Sequence, residues 1–361
     1  MKVLLISPKD GIVGGIAIWT KNILIGLKEK ENVNVVLNDF SRKVSGQMIL
    51  NPIKKILYAF KDYLRLTYLA IDDIKKFDGS KVHICSSASY LLIKDLILIK
   101  AARCKKLQSI VHFHFGRIPD LQKANNWEWK LIKKVCRQAN KVIVMDKKSY
   151  NILLQENFNN VYLLPNPISN EAKRIIDKND VQKVENTLLF AGHCIPTKGI
   201  FELIGACKKV KNIHLTMIGA ISSEVMQLLI SGAGPDYSQW LDIKGQVSYE
   251  DTIKYMKRSS IFVLPSYTEG FPNVILESMA CGCCVIASAV GAIPEMLEEE
   301  NLQKYGLLIT PKRTDILQNT IESAICNPDL INQCGKNAKQ RVFDRYSIEK
   351  ISQQLVEIWN C

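Results

Sequence analysis

Short apolar runs alternate with amphipathic segments along almost the whole 361-residue chain, and this alternation restricts the fold to parallel sheets wrapped in helices. The runs are Val3 to Ile6, Val33 to Leu37, Val82 to Cys85, Ile110 to Phe113 and Val142 to Met145, then Leu188 to Ala191, His214 to Ile218, Leu241 to Ile243, Ile261 to Leu264, Val285 to Ser288 and Gly306 to Ile309. Uninterrupted apolar runs of this length read as strands covered on both faces. The polar stretch from Ser169 to Asn186, poor in large apolar residues, parts the two series and marks a domain boundary. Each half is long enough to bury its own core, and a hydrophobic content of 47% supports a globular chain. The expected fold class is α/β, with two Rossmann-like doubly wound domains facing across a cleft, because ligands of such sheets sit beyond the carboxyl ends of the strands.

Within the second series, Glu269 and Glu277 stand eight positions apart in Pro265-Ser-Tyr-Thr-Glu-Gly-Phe-Pro-Asn-Val-Ile-Leu-Glu277. They bracket a strand end, a tight turn and the start of a helix. Gly270 permits unusual backbone angles, and Pro272 suits the first helical position. Amide groups of Gly270, Phe271, Asn273, Val274 and Ile275 are then expected to line a helix N-terminus suited to anionic oxygens. Carboxylates accept paired hydrogen bonds from vicinal hydroxyls, so a ligand carrying both diols and phosphates, such as a nucleotide sugar, fits this mixture. Ser266 either contacts phosphate or ends the strand.

Gly192-His193-Cys-Ile-Pro-Thr-Lys198-Gly199 also follows a predicted strand. There Lys198 precedes a glycine that opens a helix, whose N-terminus adds partial positive charge. Gly14 and Gly15 follow the first strand and allow close approach of backbone to a diphosphate or an acceptor. In Ile110-Val-His112-Phe-His114-Phe-Gly116-Arg117 the two histidines share one face of a strand, and His114 lies nearer its carboxyl end. Their spacing is open to a structural role, a ligand contact or metal binding, although no third metal ligand stands out. Arg117 adds charge to the cleft or sits at the surface.

The E-x7-E segment from Glu269 to Glu277 resembles that of the group 1 (GT4-like) retaining glycosyltransferases, which have the two-domain GT-B fold. Gly192 to Gly199 is similar to the family's phosphate loop, and Leu164-Pro-Asn166-Pro167 to its interdomain element. Gly245-Gln-Val247, Ala280-Cys-Gly282 and Gly14-Gly15 agree in order and spacing, whereas residues 40 to 80 carry nothing recognisable. The main departure is His193, where the family has arginine; histidine is shorter and is not a permanent cation, so leaving-group stabilisation is expected to be weaker or shared.

The resemblance implies domains at 1–165 and 166–345, with a final helix over 346–361 crossing back to the first. It implies that Glu277 binds the nucleotide ribose, that Glu269 contacts the transferred sugar, and that His114 touches the donor sugar near its reacting carbon. With Lys198, Glu269 and His114 form the expected catalytic set. Donor contacts are expected from Gly14, Gly15, His193, Lys198, Ser266, Glu277 and the residues from Gly270 to Ile275. No Asp-x-Asp element occupies a strand-to-loop position, so the expected reaction is retaining and needs neither metal nor cofactor. Uridine diphosphate is the expected leaving group ahead of guanosine diphosphate, and a sugar or lipid-linked saccharide of a bacterial surface polysaccharide is the expected acceptor.

Charge is distributed unevenly. Residues 1–165 contain 28 Lys/Arg against 13 Asp/Glu and so carry the entire net charge excess of +13. Basic and apolar residues interleave over 53–66 and 127–137, a pattern open to ordinary solvated helices or to contact with an anionic membrane surface. The chain has no signal-peptide pattern and no run approaching the ~20 apolar residues of a membrane span, so a cytoplasmic protein is expected, peripheral to the inner face of the membrane if at all. Eleven scattered cysteines suit a reducing compartment, and the cluster Cys281, Cys283 and Cys284 is expected to pack rather than to bind zinc. An epimerase sharing the framework, or a basic nucleic-acid-binding protein, are the competing classes; no nucleic-acid-binding module is visible.

Overall fold

A computed structural model describes the chain except residues 10–13, 29, 42–51, 179–180 and 298–303, with backbone alone for 52–56. The chain divides into two compact units, Met1–Pro167 with Ile348–Cys361, and Ile168–Ser347. Each contains one six-stranded parallel sheet with helices packed against it, the α/β architecture expected from the alternating runs.

In the first unit the strands β1 (Lys2–Ser7), β2 (Asn34–Asp39), β3 (Lys81–Ser86), β4 (Gln108–Phe113), β5 (Lys141–Val144) and β6 (Val161–Leu163) lie in the order β2-β1-β3-β4-β5-β6. Alternate side chains feed two cores. Leu4, Ile6, Val82, Ile84 and Val111 enter one, while Val3, Leu5 and Ile110 enter the other with Trp19 and Ile23. The terminal helix Ile348–Asn360 completes the second core with Ile351, Leu355 and Trp359, which its 3.6-residue period brings to one face. Each such buried side chain contributes about 1.5–3 kcal/mol. A 25-residue helix, Pro52–Lys76, occupies the region that carries no motif.

The second unit orders β7 (Val184–Ala191), β8 (His214–Ile218), β9 (Leu241–Gly245), β10 (Ser259–Leu264), β11 (Cys284–Ser288) and β12 (Leu307–Ile309) as β12-β11-β10-β7-β8-β9. Chain order reverses between β7 and β10, and beyond their carboxyl ends is where open α/β sheets hold ligands. The loops leaving these two strands are Gly192 to Gly199 and Pro265 to Pro272.

The polar stretch after Ser169 begins just past the division between the units and holds a helix. Asn170–Lys178 is a helix that buries Ala172 and Ile176 and packs on the helix Tyr249–Arg258, within the second unit. Two apolar residues four positions apart suffice to dock it. Cys281, Cys283 and Cys284 are buried, Cys283 donating to the Met256 carbonyl at 3.0 Å, and none of the eleven cysteines is in a disulfide. Among the described residues no helix is long and apolar enough to cross a membrane.

Candidate active site

The two loops at the switch point are clasped together by backbone. Gly199 has φ +70°, and a Cβ there would stand 2.1 Å from the Pro265 carbonyl oxygen, so only glycine fits. Beside it the Tyr267 amide donates to the Thr197 carbonyl at 2.9 Å. This contact brings Lys198, at the end of the turn Pro196–Lys198, to Glu269 on the second loop, with Nζ 2.5 Å from Oε1. A cation and a carboxylate separated by 71 residues thus form one charged pair at the head of the helix Ile200–Cys207.

A third loop braces the Glu269 turn from behind. Gly291 has φ +55°, its Cβ position is blocked by the carbonyls of Glu269 and Gly270, and the Ala292 amide donates to the Gly270 carbonyl at 2.9 Å. Phe271 is buried with its ring 5.8 Å from that of Tyr346. The following helix spans Asn273–Ala280, so Pro272 caps it from the extended position and is not its first helical residue. One expected anion donor is already committed: the Ile275 amide bonds to the Pro272 carbonyl at 3.1 Å, and the Ile275 side chain is fully buried. Asn273 and Val274 keep partial exposure at the helix start. Ser266 is buried, and its hydroxyl has no partner.

Glu277 lies one turn further, 8% exposed, and accepts a hydrogen bond from the Tyr249 hydroxyl at 2.8 Å. Burial pushes its carboxyl up to about 7, against the lowering effect of the Tyr249 bond. In front of these loops a cavity of about 290 Å³ is lined by Gly192, His193, Lys198, Gly219, Gln246 and Val274, among others. Its size is near the lower end of the roughly 300–1,000 Å³ typical of small-ligand clefts. Gly219 is required at its floor, since a Cβ would stand 1.8 Å from the Gly192 carbonyl oxygen.

Residues 171–341, nearly the whole second unit, match the family of glycosyl transferases group 1. That match makes the second unit a glycosyl transferases group 1 domain. An uncharacterized glycosyltransferase of Methanocaldococcus jannaschii is 25% identical over 97% of this chain and 95% of its own length. The capsular polysaccharide biosynthesis glycosyltransferase CapM of Staphylococcus aureus is 26% identical over 64% of this chain and 58% of its own. HepE of Anabaena, solved in complex with UDP, superposes with a TM-score of 0.74 at 17% identity over the full length of both chains, which establishes the GT-B fold.

In the first unit, Gly14 and Gly15 stand at the head of the helix Gly15–Lys28, just beyond residues 10–13, which lie outside the described part. His112 is fully buried, whereas His114 keeps partial exposure at the end of β4 with its Nε2 unpartnered. They belong to a larger group than the sequence suggests, with Trp19 4.9 Å and 4.8 Å from the two imidazoles and His83 5.5 Å from His112. Burial lowers the pKa of His83 to about 3 and that of His112 well below its ordinary value, so both are neutral.

His83, Cys85 and His112 place potential metal-ligand atoms within 4.8 Å of one another, a group that shares only His112 with the histidine pair seen in the sequence. The chemistry of His83 opposes coordination. The Trp359 indole N–H, which can only donate, bonds to His83 Nδ1 at 3.0 Å. The neutral ring must then hold its proton on Nε2, the form that cannot ligate. Arg117 is committed to Glu128 at 2.8 Å and does not supply an unpaired cleft charge.

Proposed function

We propose that the protein is a glycosyltransferase that moves a hexose from a nucleoside diphosphate sugar to a saccharide or lipid-linked saccharide, with retention of anomeric configuration and without metal or cofactor. The observation that carries this reading is the Lys198–Glu269 pair, set between two helix N-termini and beside a cavity of diphosphate size, with Glu277 enclosed one turn beyond. As the bond to the anomeric carbon breaks, negative charge grows on the departing diphosphate. Lys198 can turn from Glu269 to meet it, helped by the amides at the start of Asn273–Ala280 and by His193 at the cavity wall. Glu269, released from its partner, faces the sugar, and Glu277 takes the ribose hydroxyls. The departing phosphate serves as base for an acceptor attacking from the same side.

HepE in complex with UDP supports a uridine nucleotide ahead of a guanosine one, and CapM supports a product in a bacterial surface polysaccharide. The role that the family likeness gives to His114 is contact with the donor sugar. Turnover on a panel of nucleotide sugars is expected to be unchanged by excess chelator, with the product anomer matching the donor's by NMR; inversion, or loss of activity on chelation, contradicts the mechanism.

An anionic membrane surface is the proposed site of work, on the cytoplasmic side. The helix Pro52–Lys76 exposes Leu57, Phe60, Leu64 and Tyr68 beside Lys61 and Arg65, and the helix Trp127–Gln138 exposes Trp127, Lys130, Lys134 and Arg137. Apolar and aromatic groups amid cations are what an anionic interface binds. The side chains of residues 53–56 lie outside the described part. Co-sedimentation with phosphatidylglycerol vesicles, falling at least several-fold in 0.5 M salt, is the expected result; equal binding to neutral vesicles contradicts it.

A further inference from the structure

Glu277 does not act alone in the second unit. We propose that Tyr249 is a positioning residue that holds Glu277 in the orientation and ionised form with which it receives the ribose, an inference that rests on the assignment of Glu277 to the ribose. The Ala172 amide donates to Ser169 Oγ at 2.9 Å, Ser169 Oγ lies 2.8 Å from the Tyr249 hydroxyl, and that hydroxyl lies 2.8 Å from Glu277 Oε1.

Chemistry fixes the direction of this chain. A backbone amide can only donate and an ionised carboxylate can only accept, so Ser169 passes its proton toward Tyr249 and Tyr249 passes its own toward Glu277. Each bond polarises the next. The chain terminates on Oε1 and leaves Oε2 for the ligand.

The arrangement answers a specific difficulty. Enclosure disfavours the charged form of Glu277, and Glu171, on the helix that carries Ala172, disfavours it further. A protonated carboxyl would present one donor where a vicinal diol offers two. Tyr249 is the group among those acting on Glu277 that favours its charge, while Cys281, at the C-terminal cap of the same helix, is a buried thiol whose own ionisation burial suppresses.

The sign of the pH dependence follows. Ligand affinity that needs ionised Glu277 is present above its pKa and is lost as pH falls through it. Removing the Tyr249 hydroxyl raises that pKa and moves the loss to higher pH.

Calorimetric titration with uridine diphosphate and guanosine diphosphate, which share the ribose, between pH 6 and 9 tests this in the parent, Tyr249→Phe, Ser169→Ala and Glu277→Gln. Tyr249→Phe is expected to weaken binding about tenfold at pH 6.5, to shift the pH midpoint up by roughly one unit and to recover near pH 9, the size expected of one charge-assisted bond. Ser169→Ala is expected to shift it the same way by less. A loss in Tyr249→Phe that is equal at every pH, or no loss at all, overturns the positioning role while leaving Glu277 a ligand if Glu277→Gln abolishes binding. Unchanged affinity in Glu277→Gln, or no binding of either nucleotide by the parent, overturns the ribose assignment and the inference with it.

Discussion

Lys198→Ala is expected to lower turnover by about 10²–10³-fold, the usual effect of removing one preorganised group that meets charge developing in a transition state. Affinity for the intact donor should fall much less, because the diphosphate carries its full additional charge only as the glycosidic bond breaks. The substitution also frees Glu269, which is bonded to Lys198. Steady-state kinetics with a thermal melt as folding control checks this. A loss confined to KM would mean that Lys198 serves ground-state binding only.

Gly199→Ala is expected to destabilise the second unit by about 3 kcal/mol, lowering Tm by roughly 6–12 °C. Two costs combine at this position. The left-handed backbone at φ +70° is unfavourable for any side chain, and the new Cβ would stand 2.1 Å from the Pro265 carbonyl oxygen. The only relief is to part the loops after β7 and β10, which also separates Lys198 from Glu269. Activity should therefore fall further than stability at 25 °C explains. By contrast Gly234, with φ +96° and nothing within 4 Å of its Cβ position, should tolerate alanine with the backbone cost alone. Equal melting points for the two variants would show that the loops are not clasped.

The residues that the sequence made legible are those whose placement is set locally. Glu269, Gly270 and Glu277 lie within nine consecutive positions, the first two in the loop after β10 and the third in the helix Asn273–Ala280. Lys198 is announced by the strand before it and the glycine after it. What stayed hidden depends on partners distant in sequence. Tyr249 sits 28 residues before Glu277, at the head of an unremarkable polar helix, and only the fold brings them together. Gly291 looks like any turn glycine until the carbonyls of Glu269 and Gly270 are seen to occupy its Cβ position.

The polar stretch that marked the boundary also hid a short helix, Asn170–Lys178, held by Ala172 and Ile176. Helix-start rules placed Pro272 one position too far along, and the free amide expected at Ile275 was lost to the Pro272 carbonyl. The histidine pair was visible, but His83 and the Trp359 bond that fixes its tautomer come from elements 276 residues apart.

Calorimetry of nucleotide-sugar binding to the Glu269→Gln, Glu277→Gln double variant probes the donor site most directly. Glutamine keeps the size of each side chain but removes the anionic acceptors, so binding should weaken at least a hundredfold and turnover should vanish, while the melting temperature stays within a few degrees of the parent. Parental affinity and turnover in a folded double variant would contradict the assignment of the donor to these two carboxylates.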